Sequence, residues 1–142
     1  MTYDIIEKDI ESGKDIVYTQ TDTQFQWHTT NDGVIGATGV GLGDGKSNTV
    51  KIIALYGNEK NAARICYDLV LGGYSDWYLP SDYEMTLINP SFAIRSTSKT
   101  YWTSTENNAN RANYFGFDGN YSHKVLTGYK NINRYVLAIR YF

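Results

Sequence analysis

The stretch Gly72-Gly73-Tyr74-Ser75-Asp76-Trp77-Tyr78-Leu79-Pro80-Ser81-Asp82-Tyr83-Glu84 decides how this chain is organised. Ser81 and Glu84 stand three apart, the spacing at which an N-cap hydroxyl and a carboxylate one turn on satisfy each other's backbone amides. Leu79-Pro80 supplies a stiff entry, and Asn89-Pro90 a stop, because the residue before a proline is pushed out of the helical region. A helix is therefore predicted between Ser81 and Asn89. Upstream, Ala62, Ile65, Cys66, Leu69 and Val70 recur at the spacing of one helical face, and Gly72-Gly73 is predicted to end that helix. Earlier still, Asn48 is predicted to cap a short helix from Thr49 to about Leu55.

Outside this helical middle the pattern changes to strands. Ile5-Ile6 and Ile16-Val17-Tyr18 flank the turn signal Ser12-Gly13-Lys14-Asp15, which reads as an N-terminal strand or hairpin. Beyond Thr100 come Tyr101-Trp102-Thr103-Ser104, then Ala112 to Phe117, then Arg134 to Phe142. In the last of these Tyr135, Leu137, Ile139 and Tyr141 alternate with Val136, Ala138 and Arg140. Helices in the middle and strands at both ends make an α+β domain whose N- and C-terminal strands are expected to pair in an antiparallel sheet.

A chain of 142 residues and 16.1 kDa suits one domain and is short for two. Hydrophobic residues at 42%, charged residues at 20% and only 2 Pro exclude a disordered or collagen-like chain. The net charge of −2 recommends neither nucleic acid nor an anionic membrane as partner. No run is apolar enough to insert in a bilayer, and the N-terminus has no signal-peptide pattern. The single Cys66 leaves no internal disulfide and no multi-thiolate metal site. Gly45-Lys46-Ser47 resembles the end of a phosphate-binding loop, but Val40 stands where that motif needs glycine, so a loop over 31–48 leading into a helix is the reading. His28 and His123 lack a second ligand at zinc-motif spacing, so no metal, cofactor or catalytic residue is assigned. Asp76 and Ser104-Thr105-Glu106 read as turn-fixing and strand-ending residues.

The combination Gly72 to Ser81, then Tyr101-Trp102-Thr103-Ser104-Thr105-Glu106, then Val136-Leu137-Ala138-Ile139-Arg140-Tyr141-Phe142 resembles the C-terminal domain family of collagen-like adhesins, the Lcl C-terminal family. Gly43 to Thr49 and Ala62 to Cys66 also match its pattern, so the resemblance covers about residues 33 to 142, with Leu137 in place of the usual Arg. It implies a C-type lectin-like fold and, for many members, a variable protein of a diversity-generating retroelement, in which template adenines are rewritten. Such rewriting of the first two bases of AAC codons never gives Met, Trp, Gln, Lys or Glu. Between Asn107 and Tyr135 that set is represented by Lys124 and Lys130 alone, which read as fixed positions, while Asn recurs.

The resulting expectation is one domain over 1–142: N-terminal strands at 1–32, a helical framework at 33–106, a variable ligand-binding region at 107–135 and a terminal strand at 136–142. The expected contact residues are Asn113, Tyr114, Phe115, Asp118, Asn120, Tyr121, Ser122, His123, Val125, Leu126, Thr127, Tyr129, Asn131 and Ile132. They mix rigid aromatic anchors with short polar groups, as binding surfaces do, and 13 Tyr in the chain point the same way. Trp77, Trp102, Leu79 and the helical stripe are expected to form the unvarying core. The partner expected is a protein or glycan on a cell surface, met by a domain displayed on a virion or cell exterior as part of a longer protein or assembly, monomeric or trimeric, with no enzymatic activity. Arg111, Lys124, Lys130, Arg134 and Arg140 outnumber Glu106 and Asp118 beyond residue 105, which makes a fixed adhesin domain for acidic glycans the alternative. Formylglycine-generating oxidases share the implied fold, but their cysteine redox chemistry has no counterpart in a chain with Cys66 alone.

Overall fold

The computed structural model describes residues 3–9, 15–21, 23–31, 33–88, 99–116 and 125–141. Its elements run β1 (Tyr3–Asp9), β2 (Asp15–Thr21), α1 (Asp44–Tyr56), α2 (Ala62–Tyr67), α3 (Asp82–Ile88), β3 (Thr100–Glu106), β4 (Arg111–Gly116), β5 (Val125–Tyr129) and β6 (Leu137–Tyr141). The domain is α+β, with two three-stranded antiparallel sheets ordered β1-β2-β6 and β3-β4-β5. The N-terminal hairpin and the terminal strand do pair: Tyr18 lies opposite Ile139 and Gln20 opposite Leu137. The turn between β1 and β2 and the Asn89-Pro90 stop lie outside the described residues.

Strand alternation sends side chains to two different cores. Val136 and Ala138 of the terminal segment join Trp27, Ile52, Cys66, Trp77, Leu79 and Trp102 in one cluster. Leu137 and Ile139 join Tyr18, Tyr78, Met85, Ile88, Tyr101 and Phe115 in the other. Residues one apart face opposite ways, so the sheet segment carrying both sets is buried on both sides. Two indoles stitch the first core to the backbone: Trp27 Nε1 donates to the Thr103 carbonyl at 2.9 Å and Trp102 Nε1 to the Phe25 carbonyl at 3.0 Å. Cys66 is buried there, and burial pushes its thiol up, away from the reactive thiolate.

Three local expectations need correcting. Helix α1 begins at Asp44, not after Asn48. Its first amides are satisfied from a distance: Gly43 N–H and Gly45 N–H donate to Glu84 at 3.1 and 3.0 Å. Asn48 instead sits buried inside α1, holding Gly39 through both its amide groups and Ser104 Oγ through its Nδ2. Helix α2 ends at Tyr67, so Val70 leaves the apolar stripe and is 72% exposed. Gly72 and Gly73 do not cap it. At φ 63° and 81° they form the tight turn in which Leu71 and Tyr74 exchange both backbone hydrogen bonds, a conformation that L side chains avoid.

The Ser81–Glu84 capping box is present, with Ser81 N–H donating to Glu84 Oε1 at 3.0 Å and Glu84 N–H to Ser81 Oγ at 3.4 Å. Glu84 does more than the box requires. Fully buried, it also accepts from the Tyr78 hydroxyl at 3.0 Å and so ties together the starts of α1 and α3 and the segment between them.

Candidate functional site

The expected contact residues fall on the β4–β5 hairpin and the turn after it, where the register sorts them. Asn113 lies opposite Thr127 and Phe115 opposite Val125, while Tyr114 lies opposite Leu126. Paired residues share a face, so Asn113, Phe115, Val125 and Thr127 point one way and Tyr114 and Leu126 the other. On the first face α3 packs against β3 and β4. Phe115 is accordingly 0% exposed in the second core and Asn113 is buried, its Nδ2 donating to Asp82 Oδ2 at 2.7 Å. Phe115 is a core residue rather than a contact residue, because β4 is the central strand and is covered on that side.

Strand β5 lies at the end of the sheet and stays open. Val125, Leu126 and Thr127 are exposed in succession, followed by Tyr129, Asn131 and Ile132. Tyr114 is intermediate, with the Arg134 guanidinium 3.5 Å above its ring, and the Arg134 Nη1 donates to the Thr100 hydroxyl at 3.1 Å. Gly128 is buried beside it, and a Cβ there would stand 2.7 Å from the Arg134 guanidinium. Burial holds the Arg134 pKa below the usual value, opposed by Tyr114. Arg111 stacks on Tyr129 with its guanidinium 4.3 Å from the ring. Asp118, Asn120, Tyr121, Ser122 and His123 lie outside the described residues.

The root of the hairpin is held by a group that its polar character would place on the surface. Lys130 is 0% exposed; its ammonium donates to Glu106 Oε2 at 2.7 Å and to the Gly33 carbonyl at 3.0 Å, and lies 4.8 Å from the Trp27 ring. Glu106 also accepts from the amides of Ile35 and Gly36. A desolvated ion pair needs such additional donors and acceptors to offset the loss of water. Asn131 has an exposed side chain on a tethered backbone, its N–H donating to Asn31 Oδ1 and its carbonyl accepting from Gln26 Nε2.

Other polar clusters serve the framework. His28 Nδ1 lies 2.9 Å from Glu59 and its ring stacks on Tyr56 with centroids 3.6 Å apart. Burial raises the Glu59 pKa, but hydrogen bonds from His28, Asn61 and Thr29 outweigh it and hold the carboxyl below its usual value. No sequence spacing connects His28 with Glu59. Asp82 accepts from the Thr103 hydroxyl at 2.7 Å and from Asn113, and burial raises its pKa against those bonds. Asp76 is bound by two of the Arg140 nitrogens, Nε at 2.6 Å and Nη2 at 3.2 Å, which tie it to the terminal strand, and with a local backbone amide they hold its carboxyl below the usual value. Among the described residues no three His, Cys, Asp or Glu side chains converge as a metal site would need, and no helix is long and apolar enough to cross a membrane. Chemically, the exposed hairpin offers contact area and hydrogen bonds from a fixed frame. Compared with protein-family models, curated proteins and solved structures, the chain matches none.

Proposed function

We propose that this chain is a ligand-binding domain of C-type lectin-like fold, related to the Lcl C-terminal family and most like the variable proteins of diversity-generating retroelements. Its contact surface is the open edge strand of the hairpin and the following turn: Val125, Leu126, Thr127, Tyr129, Asn131 and Ile132, with Tyr114 at the border. The target is a protein or glycan on a cell surface, and the domain is displayed on a virion or cell exterior within a larger protein or assembly.

One observation carries the reading. The hairpin is rooted through buried Lys130 and the Arg134–Tyr114 stack, while Val125 to Thr127 are exposed without interruption. A diversified surface needs this division, because side chains that change must not be ones the fold depends on. Lys130, a residue that adenine rewriting of AAC codons cannot produce, belongs to the rooted part.

The test is genetic. A near-copy of the codons for 107–135 in the flank of the gene, differing at template adenines alone, supports the diversified receptor reading. Absence of any template turns the reading to a fixed adhesin, for which a glycan array is the next measurement.

A further inference from the structure

A groove on another part of the surface, distinct from the β4–β5 hairpin, has the make-up of a small-molecule site. Two adjoining cavities of about 280 and 220 Å3 share Lys46, Asp76 and Tyr78. One wall is the stripe Lys46, Thr49 and Val50 of α1, three positions at i, i+3 and i+4. The other is the segment carrying Asp76, Trp77 and Tyr78, and Tyr67 at the end of α2 closes the larger cavity.

The charges in and behind the groove are nearly all committed. Asp76 is held by the Arg140 guanidinium, which also lies 3.5 Å over the Tyr74 ring. Glu84, beneath Tyr78, accepts from that hydroxyl and from three backbone amides. Arg64, 5.5 Å from the Tyr67 ring, pairs with Asp68 and reaches the Gly57 carbonyl. Lys46 differs: exposed on the rim, it makes no ion pair or hydrogen bond with a described residue, although its charge helps keep Asp76 ionised. Beyond Lys46 the wall turns apolar, with Val50 51% and Tyr67 47% exposed over a floor that includes the buried Trp77 ring.

We infer that this groove binds a small organic anion with a flat apolar body, its carboxylate on Lys46 and its body between Val50 and Tyr67. The larger cavity holds roughly nine water-sized units, which suits a single-ring acid and not a folded partner. The Asp76 oxygens, already neutralised by Arg140, remain as acceptors for a hydroxyl on the same ligand.

The test uses the full chain in a titration followed by amide and indole NMR shifts, with 4-hydroxyphenylacetate as probe and phenethylamine and glucuronate as controls. The aryl acid is expected to saturate in the millimolar range, moving the Lys46, Val50 and Tyr67 amides and the Trp77 indole. Phenethylamine and glucuronate are expected to bind more weakly. Lys46→Gln and Tyr67→Ala alter exposed side chains and should each weaken the aryl acid about fivefold while leaving the urea midpoint in place. Saturation unaffected by Lys46→Gln, tighter binding of phenethylamine or glucuronate, or no shifts with any probe would overturn the inference.

Discussion

Lys130 and Glu106 form an ion pair of 2.7 Å in which neither side chain is more than 1% exposed. It joins the end of the candidate binding hairpin to the last residue of β3 and, through the Ile35 and Gly36 amides, to the loop before α1. Truncating one partner strands the other as a buried charge. Lys130→Ala should therefore lower unfolding free energy by about 3 kcal/mol or more, read by urea denaturation. Combining it with Glu106→Gln should cost less than the sum of the two single changes, and simple additivity would show that the pair is not coupled.

The hairpin residues divide into those the fold needs and those it does not. Phe115→Ala removes a ring from a closed core and should cost about 3 to 5 kcal/mol. Leu126→Ser and Ile132→Ser, at positions 42% and 45% exposed, should stay within about 0.5 kcal/mol of the parent by the same measurement. A large loss at Leu126 would move it from the proposed contact surface to the framework.

Gly45→Ala tests the junction of the two helix starts. Alanine is the better helix former by about 1 kcal/mol, yet here its Cβ would press on Glu84 Oε1 and lie 2.6 Å from the Leu79 carbonyl. Backbone on one side and a fully bonded carboxylate on the other leave no easy relief. The substitution should destabilise by about 1 to 3 kcal/mol or more and lower the melting temperature, against the propensity scale.

Asp82 gives a pH signature. Burial raises its pKa in the folded state, so the folded chain holds that proton more tightly than the unfolded one. Its contribution to stability is greatest below the unfolded value, near pH 3.9, and declines as pH rises through the folded value. Asp82→Asn removes that decline, and its amide NH2 finds an acceptor when the Asn113 amide, which now donates through Nδ2, turns over to present Oδ1, an atom buried with no hydrogen-bond partner among the described residues. The variant should gain relative to the parent as pH goes from 4 to 7. A constant difference across that range would exclude titration of Asp82 as the source.

What the sequence made legible was what neighbouring residues decide. The Ser81–Glu84 box, the alternation from Tyr135 to Ile139 and the pairing of the end strands rest on local periodicity, and they are present in the fold. The start of α1 was not legible, because the group that satisfies Gly43 and Gly45 is Glu84, about forty residues on. The Gly72-Gly73 pair suits a helix end or a tight turn equally until Leu71 and Tyr74 are seen to close it. For the candidate site, the segment was legible and its division was not. Asn113 and Phe115 are buried because α3 covers one side of β4, and nothing between 107 and 135 encodes where α3 lies.

Strand β6 follows the hairpin along the chain and is the wall common to both cores, pairing with β2 on its return. Closure of the domain thus depends on residues reached only after the hairpin has been made. A hairpin sequence that kept residues 134–141 from coming back would leave Tyr18, Trp27 and Trp102 open to water and the chain to proteolysis. The order of the strands makes folding an inspection step: whatever surface the hairpin carries is presented by a chain that has already closed around it.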